Sequence, residues 1–73
     1  MYEITGYNTY EKNGYKNTVV YILFPIKHNG EGFKTEPIFL NGERTEFKKG
    51  DLVNLQFDYY NGKLRVTDIQ KVD

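Results

Sequence analysis

Glycine-bearing breaks recur along this chain at short intervals, and they limit its fold more than any other feature. They read "KNG" at 12–14, "HNGEG" at 28–32, "NGE" at 41–43, "KKGD" at 48–51 and "YNGK" at 60–63. Asn-Gly pairs suit the positive backbone dihedrals of tight hairpin turns. The segments between them are rich in Val, Ile, Tyr, Phe and Thr, the residues that fit a pleated, half-buried surface. Five strands follow, over 2–12, 15–26, 33–40, 52–60 and 63–72. No stretch sustains apolar residues at i, i+3, i+4 and i+7. The one candidate for a helical turn is "NGERTEFKKG", 41–50.

Within these segments the apolar residues alternate, as they do on strands with one buried face. In the second segment the even positions Val20, Ile22, Phe24 and Ile26 form a full apolar face and are the leading core candidates. Its odd positions Tyr15, Asn17, Val19, Tyr21 and Leu23 are amphipathic. In the fourth, Val53, Leu55, Phe57 and Tyr59 alternate with Asn54, Gln56, Asp58 and Tyr60. The fifth begins Leu64, Val66 and then changes phase to Ile69 and Val72, which predicts a bulge near Thr67–Asp68. Pro37 marks the third segment as an edge or a broken strand. In the first, Tyr2, Ile4 and Tyr10 share one parity and Tyr7 has the other.

The chain's 73 residues make one domain, 1–73, with a thin core. Five antiparallel strands of this length must curl or pair with another copy to be stable. A small five-stranded antiparallel all-β barrel is expected, OB-like first and SH3-like second. There is no cysteine, so disulfides, thiolate metal sites and thiol catalysis are absent. The longest apolar run, "VVYILFPI", is too short to cross a bilayer. "MYEITGY" lacks the basic-then-apolar pattern of a secretory signal. The expectation is a cytoplasmic protein.

Enzymatic chemistry finds little footing. Gly30-Glu31-Gly32 matches neither a dinucleotide fingerprint nor a phosphate loop. His28 is the single histidine, without a second His or Cys to complete a transition-metal site. Glu43, Glu46 and Asp51 lie among Arg44, Lys48 and Lys49, the pattern of a solvated mixed-charge loop. Asp58 and Asp68 could meet across the last hairpin, but no nucleophile-and-base pair can be named. The reading is a binding module with no cofactor and no metal.

The remaining pattern is aromatic and basic residues interleaved on strands: Tyr7, Tyr10, Lys12, Tyr15, Lys16 and Tyr21, then Lys27, Phe33 and Lys34. Exposed rings stack on bases at about 1–3 kcal/mol each while cations follow the phosphates, which is how single-stranded nucleic acid is held. Ten basic residues balance ten acidic ones, which counts against strong non-specific binding driven by charge alone. Between Tyr7 and Lys34, however, four lysines face only Glu11 and Glu31. Tyrosine on strands is also ordinary packing material. Because the even positions of 15–26 already supply an aliphatic face, Tyr15 and Tyr21 need something else to cover them. A nucleic acid, a partner subunit or the far side of the barrel would do so. The reading is non-sequence-specific binding of a single strand, DNA in preference to RNA. The alternative is a protein-interaction or assembly module, SH3-like or an obligate homodimer.

The stretch "PIFLNGERTEFKKGDLVNLQFDYYNGKLRVTDIQKV" resembles small OB-like proteins of Gram-positive phages and conjugative elements. Several of these are similar to helix-destabilising single-stranded DNA-binding proteins. The resemblance covers about half the chain and rests on "KKGD-V", a strand ending in Tyr, "NGK" and "V-DI". It implies a homodimeric five-stranded barrel that coats single strands, with Tyr15, Tyr21 and Phe33 as stacking rings. The family's net charge is usually more basic than that of this chain.

Overall fold

In the computed structural model, which describes residues 1–72, the alternating segments form five strands in one sheet. They are β1 Tyr2–Lys12, β2 Tyr15–Pro25, β3 Phe33–Leu40, β4 Leu52–Tyr60 and β5 Lys63–Lys71. Every pairing is antiparallel and the order is β3-β2-β1-β4-β5. That is the strand order of an OB barrel opened between β3 and β5. The expected all-β class holds. The sheet stops short of closure, since β3 and β5 approach across the seam without pairing. Pro37 sits on β3, at the sheet edge, where its missing N–H costs no ladder bond.

β1 is central because it serves two partners. Its first residues pair with β4, Tyr2 opposite Val53 and Glu3 opposite Leu52. From Gly6 to Lys12 it pairs with β2 alone. Between Ile4 and Gly6 the register shifts, leaving Thr5 as an extra residue, and such a bulge bends its strand. The bulge expected near Thr67–Asp68 is present: Gln56 faces Asp68 and Phe57 faces Val66, with Thr67 unmatched.

The core lies on the inner face of the curled sheet, built from Ile4, Val20, Ile22, Leu40, Phe47, Val53 and Ile69. Tyr2, Phe24, Ile38, Leu55 and Val66 pack around it. The even face of β2 is therefore core at Val20 and Ile22. Phe24 is only half-buried, against Tyr2 at 4.9 Å between ring centroids, and Ile26 lies beyond the strand end.

The expected helical turn at 41–50 does not form. Its backbone groups are taken by β2 instead. The N–H of Arg44 donates to Thr18 Oγ1 at 2.8 Å, Thr18 Oγ1 donates to the Gly42 carbonyl at 2.9 Å, and the Gly42 N–H donates to Asn17 Oδ1 at 3.3 Å. At the far end Asp51 Oδ2 accepts from the Lys48 N–H at 2.8 Å, and the Gly50 N–H donates to the Ile4 carbonyl at 2.7 Å. Gly50 holds φ +92° there, a conformation that favours glycine. Pinned at both ends, the loop turns Phe47 into the core, 1% exposed.

Candidate nucleic-acid interface

Residues opposite each other on paired strands share a face. Tyr10 faces Asn17, Lys12 faces Tyr15, and Gly6 faces Tyr21. Across β2, Val19 faces Phe39, Tyr21 faces Pro37, and Pro25 faces Phe33. Tyr10, Tyr15, Tyr21, Phe33 and Phe39 therefore lie on one outer face of β3-β2-β1, opposite the core. Tyr15 is 74% exposed, Phe33 and Phe39 are each 66% exposed, and Tyr21 stands at 36%. Tyr10 and Phe39 meet edge to face at 6.3 Å. They flank Val19, which is buried although it points away from the core. The outer face thus has a small apolar floor of its own.

Charge is sparse on this face. From Gly6 to Lys12 and across β2 and β3, Lys12 is its one charged member, and Glu3 stands at the opposite end, facing Leu23. An open hollow of about 460 Å³ lies at the β1–β2 hairpin, lined by Tyr15, Lys12 and Lys16 with the amides of Asn13, Asn17 and Asn41. A ring, two ammonium groups and three amides can meet the π-face, phosphate and polar edges of a nucleotide. A second hollow of about 440 Å³ lies where Leu23, Pro25, Phe33 and Leu52 come together near Glu3.

The residues singled out from sequence divide. Tyr10, Lys12, Tyr15, Tyr21 and Phe33 share the outer face, and Lys16 reaches the first hollow while pairing with Glu43 at 3.4 Å. Tyr7 does not join them: it faces Val20 and sits on the inner side of the sheet. The bulge at Thr5 is the cause, because an extra residue exchanges the faces of everything after it. It also overturns the grouping of Tyr10 with Tyr2 and Ile4. Lys34 faces Phe24 on the inner side and pairs with Glu36 at 2.8 Å. Lys27 lies beyond β2, beside Lys34, His28 and Phe24 around a separate hollow of about 370 Å³.

Sequence reasoning missed Phe39. Its signal was the alternation Phe33, Thr35, Pro37, Phe39, which puts both phenylalanines on one side of an edge strand. The carboxylates of the 41–51 loop are engaged by cations: Glu43 with Lys16, Glu46 with Arg44 at 2.6 Å, and Asp51 with Lys71 at 3.4 Å. Arg44 also reaches Asp68 at 3.2 Å and lies over the Phe47 ring at 5.2 Å. Its hydrogen bond to Glu46, and then that to Asp68, hold its pKa above the ordinary arginine value against partial burial. Among the described residues no three His, Asp or Glu side chains lie together as a metal site, and no helix is long and apolar enough to cross a membrane.

Comparison with protein families, with curated proteins and with solved structures finds no match for this chain.

Proposed function

We propose that this protein binds single-stranded nucleic acid, DNA in preference to RNA, without sequence specificity, on the outer face of β1, β2 and β3. The observation that carries the reading is five rings on one face, with a lysine- and amide-lined hollow at its hairpin end. Stacking is indifferent to base identity, since every base has a π-face. Tyr15 and Tyr21 stack while their hydroxyls stay wet, and Phe33 extends the platform along β3. Lys12 and Lys16 take phosphates at the hairpin end. A duplex hides its base faces, so it offers this surface only its backbone.

Titration of labelled oligo(dT) and of a matched duplex, at low and moderate salt, tests the reading. A preference for the single strand is expected. Tyr15→Ala, Tyr21→Ala and Phe33→Ala should each weaken it by about 1–3 kcal/mol. Tyr7→Ala, on the other face, should leave affinity within about twofold, as expected of a side chain off the binding surface. Equal affinity for duplex and single strand, or indifference to all three ring substitutions, would sink the proposal. It would leave the face to a protein partner.

A further inference from the structure

Apart from the second half of β1, which has β2 alone beside it, the sheet has three exposed strand edges, and two of them are guarded. β3 carries Pro37 at the seam. β5, on the other side of the seam, carries Lys63, Arg65 and Lys71 and is broken by the bulge at Thr67. These are common devices against pairing with another chain. The third edge belongs to β4. Its pairing with β1 ends at Val53, so 54–60 is bound to β5 on one side only. This stretch, "NLQFDYY", has no proline and one charge, Asp58.

Its free hydrogen-bonding groups can be named. The carbonyls of Leu52 and Gln56 turn toward β5, accepting from the Val72 N–H at 2.9 Å and from Thr67 Oγ1 at 3.3 Å. The Asp51 carbonyl turns the other way, to the Ile4 N–H at 2.9 Å. Successive residues of a strand alternate in this respect. Leu55, Phe57 and Tyr59 therefore aim both N–H and C=O at the open edge, where no partner meets them among the described residues. Their side chains continue the core-facing side outward, with Phe57 40% and Tyr59 77% exposed.

We infer that this edge pairs with the same edge of a second copy, β4 against β4 about a two-fold axis through Phe57. In that register Leu55 lies opposite Tyr59 of the second copy, and Phe57 opposite its counterpart. All of these are edge-directed, which gives about six new main-chain hydrogen bonds by the antiparallel pattern. Gln56 lies opposite Asp58 of the second copy, twice by symmetry, so an amide meets each carboxylate and no like charges face each other. The apolar side chains of both copies form one stripe. A formal charge of zero leaves the two copies without net repulsion. The contact is isologous and closed, making a dimer and not a fibre. It is independent of the nucleic-acid reading, since it uses neither the outer face of β1–β3 nor its hollows.

Sedimentation from low micromolar to several hundred micromolar, with amide hydrogen exchange alongside, tests the inference. The expected result is a dimer whose Leu55, Phe57 and Tyr59 amides exchange more slowly as concentration rises. Tyr59→Pro removes an edge N–H that β5 does not use, and should give a folded monomer. Gln56→Lys should tighten the dimer and Gln56→Asp weaken it, each by about tenfold, as two symmetric cross-strand charge pairs gain opposite signs. A monomer at every concentration overturns the inference. So does a dimer indifferent to Tyr59→Pro, or one that both Gln56 variants shift in the same direction. The exchange measurement needs no variant to fold.

Discussion

At the scale of single residues, the fold depends on two side chains that join the 41–51 loop to the sheet. Thr18 is fully buried and its hydroxyl both accepts from Arg44 and donates to Gly42. Thr18→Val keeps the shape but strands two backbone groups, which should cost about 1–3 kcal/mol. Urea unfolding measures the loss, and faster exchange at the Arg44 amide would locate it. Phe47 is packed in the core with the Arg44 guanidinium over its ring. Phe47→Ala should cost about 3–5 kcal/mol. For a domain with a total stability of about 5–15 kcal/mol, the melt of that variant should fall steeply or vanish. Phe24→Ala, at a half-buried ring, should cost less, and equal losses at the two positions would show that the loop does not close the core.

At the scale of elements, the bulges decide which side chains meet. Thr5 is where β1 leaves β4 and follows β2. Thr5→Val keeps the residue count and removes the 3.3 Å hydrogen bond that Thr5 Oγ1 donates to the Tyr21 carbonyl, which should cost about 1 kcal/mol. Deletion of Thr5 is a different matter. It would remove the bulge and leave one-to-one pairing, with Ile4 and Tyr7 still inward and Tyr10 and Lys12 still outward, but it would take away the local bend of β1. A lower melting temperature is expected for the deletion, and an unchanged melt would mean that the sheet curls without the bend at Thr5. The β1–β2 and β4–β5 hairpins are built on two-residue turns, Asn13-Gly14 and Asn61-Gly62, with all four φ values positive. This is the turn whose twist matches paired strands. Gly14→Ala places a side chain at φ +83° and should lower stability by about 1 kcal/mol, read as a reduced melting temperature.

At the scale of the whole molecule, neutrality and an aromatic face together shape the binding expected of it. The cations nearest the proposed path are Lys12 and Lys16, with Lys27 further along. About three phosphate contacts on a single strand give a slope of about −2 in log K against log salt. A much steeper slope would mean that charge, not stacking, holds the strand. The projecting β4–β5 hairpin helps explain the elongated dimensions of 41 × 32 × 22 Å. It also lies away from the ring-bearing face. A dimer through β4 would carry two such faces, and linked sites raise apparent affinity without new contacts. Tyr59→Pro should therefore weaken binding to a long oligonucleotide more than to a short one, and equal losses would exclude bivalent engagement.

Much of this architecture was legible in the chain itself. Alternation and Asn-Gly turns placed five strands to within a residue or so, because side-chain period and turn dihedrals are local properties. The phase change at Thr67 and the edge position of Pro37 were legible for the same reason. The bulge at Thr5 was not, since an unmatched residue exists only relative to the strand beside it. With it went the faces of Tyr7 and Tyr10. Phe47 was hidden because a core position in a loop has no periodicity to reveal it; the hydrogen bonds of Thr18 and Asp51 put it there. The free edge of β4 is likewise tertiary, since β1 meets β4 only at Tyr2 and Glu3. The sequence by itself determined the strands and their turns, which rest on local chemistry. Only the tertiary structure decided which rings share a face and which edge is left open, because both depend on register between segments far apart in the chain.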